Sequence, residues 1–229
     1  MTTLSTRLQS VHRHIHHACR TAGRDVRSVH LLAVSKTQPA DAIREAHAAG
    51  QQMFGENYVQ EALDKINTLA DLRPKIEWHL IGPLQANKTR VVAEAFDWVH
   101  SVDRLKIAER LSDQRPSHLP PLSICLQVNI SAEISKSGLS PDNVRPLADE
   151  IARLPRLRLR GLMAIPEPAA TLATQREPHR ALHSLFEQLR ADGLDLDTLS
   201  MGMSADMEAA ILEGATMVRV GTAIFGARS

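Results

Sequence analysis

Residues 30–40 read HLLAVSKTQPA. The apolar run Leu31–Val34 is typical of a β-strand that is buried on both faces, as strands of parallel sheets are. Lys36 follows at the point where such a strand should end, and Pro39 and Asp41 then favour the start of a helix. The stretch therefore predicts a strand–turn–helix unit with an amine at the carboxyl end of the strand.

The same alternation continues through the 229 residues. Eight strands separated by helices favour a (β/α)8 TIM barrel over an open sheet, as a single domain over residues 1–229. An extra helix with one apolar face precedes the first strand. The predicted strands are His30–Ser35, Met53–Gly55, Glu77–Ile81, Trp98–Ser101, Ser123–Ile130, Leu157–Met163, Thr198–Met201 and Met217–Gly221. The helices predicted between them are Ala40–Ala49, Tyr58–Leu69, Asn87–Ala95, Arg104–Ser112, Pro141–Leu154, Gln175–Ala191 and Ala205–Glu213.

Composition argues against several classes of partner. The net charge is +1 and only 3% of residues are aromatic, so neither an electrostatic surface nor stacking side chains favour nucleic acid. No apolar run approaches the roughly 18 residues of a membrane span, and the N-terminus lacks the apolar segment of a secretory signal. Cys19 and Cys125 are far apart and fit reduced thiols. We therefore expect a cytoplasmic protein without a membrane or nucleic-acid partner.

Polar residues follow several of the predicted strands. Active sites of this fold lie at the carboxyl ends of the strands, where side chains distant in sequence meet at one mouth. Lys36 ends strand one, Asn57 follows strand two in FGEN, His79 lies within strand three in WHLIG, and Lys136 follows strand five. Strands seven and eight lead into the turns LSMGMS and VRVGT. These groups are the candidate site, although His79 also fits a satisfied core histidine.

Two features of the predicted mouth indicate a phosphorylated aldehyde. Lys36 is a candidate for imine formation, because loss of water around a buried lysine lowers the pKa of its amine and leaves more of the neutral nucleophile. The alternative is that Lys36 keeps its ammonium group in water, as a lone lysine at a strand end more often does. Ser200, Ser204, Gly221 and Thr222 lie in turns where barrels often bind phosphate through backbone N–H groups. Ser204 fits equally well as the N-cap of the next helix. An imine lysine beside a phosphate site suggests pyridoxal 5′-phosphate (PLP).

Arg219 bears on what that cofactor would do. It alternates with Val218 and Val220, so its side chain is expected to point into the barrel. A guanidinium only donates hydrogen bonds, and opposite a pyridine nitrogen it would keep that nitrogen unprotonated and the ring a weak electron sink. The alternative is an arginine paired with a carboxylate at the barrel end.

Six motifs in this order resemble the pyridoxal phosphate homeostasis protein family, whose members are similar to the barrel domain of alanine racemase. The resemblance covers about Val29 to Arg228. The motifs are LLAVSKTQP, FGENYVQEALDKI, WHLIGPLQANK, VNISAEISKSG, GLMAIP and LSMGMSADMEAAILEGATMVRVGTAIFGAR.

The resemblance implies a role for each candidate residue. Lys36 would carry the cofactor as an internal aldimine, and Arg219 would face the pyridine nitrogen. The phosphate would be held by Ser200, Gly221 and Thr222. The pocket would be lined by Asn57, His79 and Met201. No metal ligand is implied.

The implied function is intracellular PLP homeostasis, in which a monomer buffers the cofactor or delivers it to PLP-dependent apo-enzymes without robust turnover. The alternatives are a racemase-like enzyme acting on amino acids and a lysine-imine aldolase acting on a sugar phosphate. Alanine racemase adds a β-rich second domain and a tyrosine acid/base from its dimer partner. This sequence ends after FGAR and contains one tyrosine, Tyr58, so we expect neither feature.

Three further features are weaker signals. His12 and His16, in the cluster His12–His17, have a helical spacing that can bind a metal, but no third ligand accompanies them, which favours a solvated face. Lys136 fits a surface lysine or a secondary amine that briefly accepts the aldehyde. Cys125 fits a small core residue.

Overall fold

The computed structural model describes residues 3–131 and 137–226, and its centre is a closed barrel of eight parallel strands in sequence order. Strand β8 pairs with β1, so no strand edge is left open. The predicted (β/α)8 fold is therefore confirmed. The strands are β1 His30–Val34, β2 Met53–Glu56, β3 Glu77–Leu80, β4 Trp98–Val102, β5 Leu122–Gln127, β6 Leu157–Met163, β7 Thr198–Ser200 and β8 Met217–Val220.

Helices cover the outside of the barrel and bury most of the apolar core against the strands. Short 3-10 turns occur at Val26–Ser28, Ala70–Lys75 and Ala86–Lys88. Within the described ranges, no helix is both long and apolar enough to cross a membrane. The α-helices are α1 Leu4–Thr21, α2 Ala40–Ala48, α3 Val59–Thr68, α4 Thr89–Ala95, α5 Leu105–Gln114, α6 Pro141–Ile151, α7 Leu172–Ala191, α8 Met207–Leu212 and α9 Thr222–Phe225.

The amino-terminal helix α1 is part of the barrel's outer layer. Its residues Leu4, Leu8 and Ile15 are buried, as their spacing predicts, and the helix packs on α8 and α9. Arg7 Nε donates to the carbonyl oxygen of Ile224 at 2.6 Å. The first helix thus fixes α9, the short helix that follows β8.

Helix α7 begins earlier than the sequence predicts, at Leu172 rather than Gln175, and it includes Pro178. The reason is a capping box, in which Thr171 Oγ1 accepts from the Thr174 backbone N–H and Thr174 Oγ1 accepts from that of Thr171. Local capping therefore starts the helix three residues before the predicted beginning.

The barrel interior contains polar side chains as well as apolar ones. His100 of β4 contacts Ser200 of β7, which is not a neighbouring strand, so both side chains lie inside the barrel. Trp98, Cys125 and Met163 form a small apolar cluster apart from the main core.

Candidate functional site

A cavity of about 320 Å³ opens at the carboxyl ends of the strands. Its volume lies in the range of small-molecule sites. It is lined by Val34, Lys36, Asn57, Ile81, Ile165, Met203, Ser204, Ala205, Arg219, Gly221 and Thr222. Five of the eight predicted cofactor residues therefore meet here, and three lie elsewhere.

Lys36 reaches the cavity from a tight turn after β1. The Ser35 N–H donates to the Gly55 carbonyl, and the Gln38 N–H donates back to the Ser35 carbonyl, both at 3.0 Å. Thr37 has a φ of 63° and is the only described residue other than glycine in the left-handed region. Such a conformation costs about 1–3 kcal/mol and persists only where surrounding contacts impose it. The turn that presents Lys36 is thus held by its neighbours.

A buried charge cluster supplies those contacts. Lys65 Nζ donates to the Ser35 carbonyl at 2.7 Å, to Glu56 Oε1 at 2.8 Å and to Glu61 Oε1 at 2.5 Å. Glu61 Oε1 also accepts the Thr37 N–H, and Glu56 Oε1 accepts the Ser35 hydroxyl. Both residues flanking Lys36 are therefore bonded to the cluster of Glu56, Glu61 and Lys65.

Sequence reasoning missed this cluster. Burial raises the pKa of the Glu56 carboxyl, although Lys65 and Ser35 oppose the rise, and its Oε2 has no hydrogen-bond partner. The available signal was Lys65 itself, which lies between Ala62 and Ile66 on the buried face of α3. A lysine in an apolar stripe indicates a buried partner.

Asn57 faces the cavity at the end of β2. Its Oδ1 is buried and has no hydrogen-bond partner, which is unusual because buried polar atoms are nearly always bonded. The next turn packs directly on its backbone, and a Cβ added to Gly82 would lie 2.1 Å from the Asn57 carbonyl oxygen. The Asn57 backbone is thus held in place, and its side chain has one acceptor available to a ligand.

Arg219 lines the cavity and is otherwise buried, with 3% of its surface exposed. Nη1 donates to the Ser200 carbonyl at 2.5 Å and to Ser200 Oγ at 2.8 Å, and Nη2 donates to the Ala164 carbonyl at 2.8 Å. Burial lowers the pKa of Arg219 to about 10, so the group stays protonated near neutral pH. All three acceptors are uncharged, so Arg219 is not held by a carboxylate in these contacts, which was the alternative raised by the sequence. A buried cation among neutral acceptors favours an electron-rich ligand.

Gly221 and Thr222 line the cavity where β8 turns into α9. The turn passes close to β1, because a Cβ added to Gly221 would lie 3.0 Å from the Val34 carbonyl oxygen. Thr222 is exposed, and Ser204 also faces the cavity. Small side chains thus border the side of the cavity next to Lys36.

The other three predicted residues lie below the cavity rather than in its wall. His79, Ser200 and Met201 are all fully buried. His79 Nδ1 is 2.9 Å from His100 Nε2, and His100 Nδ1 is 2.9 Å from Ser200 Oγ. His79 is thus a core histidine bonded through Nδ1, whereas its Nε2 is buried without a hydrogen-bond partner, and any contribution to the site passes through its neighbours. Sequence reasoning missed His100, which lies within a strand rather than at its end.

The three weaker signals from the sequence concern Lys136, the cluster His12–His17 and Cys125, and the last two lie outside the lining of the cavity. Lys136 lies outside the described residues. In the cluster His12–His17, the rings of His12 and His16 are 6.4 Å apart, and the described part of the chain contains no group of three or more side chains suited to a metal ion. Cys125 is fully buried, and burial raises the pKa of its thiol to about 12.

Comparisons with known proteins show the family to which the chain belongs. The family model described as "Alanine racemase, N-terminal domain" matches residues 8–229. Proteins named "Pyridoxal phosphate homeostasis protein" from Pseudomonas aeruginosa and Escherichia coli K12 are 61% and 55% identical, each over the full length of this chain and 97% and 98% of their own.

Solved structures show the same fold. PipY of Synechococcus elongatus, described as having PLP bound, is 40% identical with a TM-score of 0.84, and the alignment covers 98% of this chain and 100% of PipY. An alanine racemase from Clostridium difficile is 13% identical with a TM-score of 0.67 over 93% of this chain and 56% of its own, which supports the fold alone. The resemblance drawn from the motifs is confirmed: the chain belongs to the alanine racemase N-terminal domain family and, within it, to the pyridoxal phosphate homeostasis proteins.

Proposed function

We propose that this protein binds PLP and serves its homeostasis in the cell, by holding the cofactor reversibly and releasing it to other proteins. The observation that carries the proposal is the convergence of Lys36, Asn57, Arg219, Gly221 and Thr222 on one cavity. PipY, a relative whose structure is described with PLP bound, supports the same ligand.

The residues present fit this cofactor. Bound PLP supplies an aldehyde that captures amines reversibly and a ring that withdraws electrons. Lys36 would hold it covalently through Nζ, and the Thr222 hydroxyl and the backbone at Gly221 would bind the phosphate. Arg219 would donate toward the ring nitrogen, and the unpartnered Asn57 Oδ1 would accept from a ligand hydroxyl. Ser200, His79 and Met201 would support the site from below.

The cavity favours retention of the cofactor over turnover. Lys36 and Arg219 are the only titratable side chains among the described residues of its lining. Racemisation requires a proton donor on each face of a carbanion. The single tyrosine, Tyr58, is 57% exposed and is not part of the lining. We therefore propose that the protein has no robust activity on amino acids.

We also propose that the protein acts as a monomer in the cytoplasm and that PLP-dependent apo-enzymes are its recipients. Both cysteines, Cys19 and Cys125, are buried free thiols, which fits a reducing compartment. Size-exclusion chromatography with light scattering tests the oligomeric state, and a dimer at micromolar concentration would contradict it.

Borohydride trapping tests the binding site. The purified protein should absorb in the visible range, and reduction followed by peptide mapping should find the label on Lys36. Lys36→Ala should lose the label, and Lys75→Ala, at an exposed lysine, should keep it. A colourless protein would favour the aldolase alternative, and a label on another lysine would reject the assignment of Lys36.

Two assays test the carrier role. Holo-protein incubated with amino acids in deuterated water should give negligible α-deuteration, whereas rapid deuteration with loss of chirality would support the racemase alternative. Incubated with a PLP-dependent apo-enzyme, it should restore activity faster than its spontaneous release of PLP allows. Equal rates would reject direct delivery and support buffering alone.

A further inference from the structure

A row of hydrogen-bonded side chains runs from Arg219 across the barrel interior. Arg219 Nη1 is 2.8 Å from Ser200 Oγ, Ser200 Oγ is 2.9 Å from His100 Nδ1, and His100 Nε2 is 2.9 Å from His79 Nδ1. The four residues come from β8, β7, β4 and β3, and none is more than 3% exposed. At the far end, His79 Nε2 lies 3.7 Å from Glu77 Oε2, near the amino-terminal end of the barrel.

Burial favours the neutral form of both histidines in this row at neutral pH. Burial is the main cause that lowers the pKa of His79, with Glu77 opposing the shift, and burial also holds the pKa of His100 well below its usual value. A neutral imidazole has one N–H donor and one acceptor nitrogen, so each link in the row must have a direction.

The charged ends of the row determine that direction. Arg219 can only donate, so Ser200 Oγ accepts from it and its hydroxyl is available to donate to His100 Nδ1. His100 Nε2–H then donates to His79 Nδ1, which leaves His79 Nε2–H facing Glu77. The reverse order would point a nitrogen lone pair of His79 at the Glu77 carboxylate, whose pKa is lowered by His79 and Trp98 although burial raises it. The row therefore keeps the Ser200 proton turned away from Arg219.

We propose that His100 is a positioning residue for Arg219. By accepting a hydrogen bond from the Ser200 hydroxyl, His100 directs a lone pair of Ser200 Oγ toward the guanidinium, which is then held in place for the ring nitrogen of the cofactor. The inference rests on the proposed PLP site. Without His100, the Ser200 hydroxyl can rotate and Arg219 loses one of its fixed acceptors.

If His100 served only core packing, its substitution would weaken the binding of every ligand of the site alike. Two ligands that differ only at the ring nitrogen therefore distinguish a packing role from a positioning role. The test compares the affinity of the cofactor-stripped, full-length protein for PLP and for the PLP analogue with C–H in place of the ring nitrogen. His100→Phe retains a ring but makes no hydrogen bonds. Binding of PLP should weaken about tenfold, which corresponds to about 1.4 kcal/mol, while binding of the analogue should change less than about twofold.

Three further variants complete the design. His100→Gln retains an acceptor and a donor and should recover part of the PLP affinity. Ser200→Ala removes the hydroxyl between His100 and Arg219 and should also weaken PLP more than the analogue. This variant keeps the test available if His100→Phe does not fold. In an Arg219→Met background, His100→Gln should have no further effect on PLP binding. Met163→Leu, in the apolar cluster of the barrel interior, is the control and should affect both ligands alike.

Equal losses for PLP and the analogue in the His100 and Ser200 variants would overturn the proposal and leave a packing role. Unchanged PLP affinity in folded variants would also overturn it. Wild-type protein that binds neither ligand would instead reject the proposed function, so the two failures are distinguishable.

Discussion

Lys65→Met should destabilise the protein by about 3–5 kcal/mol above neutral pH, because it removes the cation that neutralises Glu56. The Glu56 side chain is fully buried, and after the substitution its carboxylate would retain only the Ser35 hydroxyl as a described partner. Methionine fills much of the space of the lysine stem, so most of the loss should come from charge rather than from a cavity.

The pH dependence of the loss follows from Glu56. Its pKa in the folded protein is already raised by burial, and removing Lys65 should raise it further. A raised folded pKa means that the native state takes up a proton more readily than the unfolded chain, so stability increases as pH falls through that value. The destabilisation should thus be largest at high pH and smaller once Glu56 is protonated.

Urea unfolding at pH 8 and pH 5.5, extrapolated to water, measures both effects. Arg44→Met is the matched control, because Arg44 and Asp71 form an ion pair with side chains 45% and 58% exposed, and it should cost less than about 1 kcal/mol. A loss for Lys65→Met as small as that of the control, or one that is equal at both pH values, would refute the assignment of a buried charge cluster.

Three shorter predictions concern other parts of the molecule. Thr222→Asp should weaken PLP at least about tenfold by charge repulsion, with little effect on unphosphorylated pyridoxal, and equal losses in equilibrium binding would reject a phosphate site at this turn. Gly161→Ala places a Cβ 1.8 Å from the Thr198 carbonyl oxygen and should cost at least about 2 kcal/mol in urea unfolding. Gly193→Ala meets no atom within 4 Å and should cost less, and the opposite order would contradict the steric argument. Cys125, with a pKa raised to about 12, should resist iodoacetamide at pH 8 until the protein is unfolded, and mass spectrometry showing rapid native labelling would contradict its burial.

Some features of the candidate site could be predicted because they depend on local sequence. Lys36, Asn57 and Thr222 each follow a strand, and in a parallel barrel every strand end faces the same mouth. The position in sequence therefore implies a position in space, without knowledge of which strands are neighbours. The roles of these residues in binding stay predictions.

Other features could not be predicted because they depend on partners that only folding brings together. His79 resembles a pocket residue in sequence, yet its ring lies below the cavity against His100, 21 residues away. Ser200 is 100 residues from His100, and no periodicity within either segment indicates that contact. Glu56 and Asn57 are adjacent, but alternation along the strand directs one to the charge cluster and the other to the cavity.

The sequence by itself determined the alternation of strands and helices, the barrel, the family and the amine at the end of the first strand, since these depend on periodicity and on contiguous motifs. The tertiary structure alone decided how that amine is presented and what supports Arg219. The Lys36 turn depends on Lys65 reaching across from α3, and Arg219 depends on side chains from three other strands. Hydrogen bonds between buried groups require distances near 3 Å, and such distances between remote residues exist only once the barrel has closed.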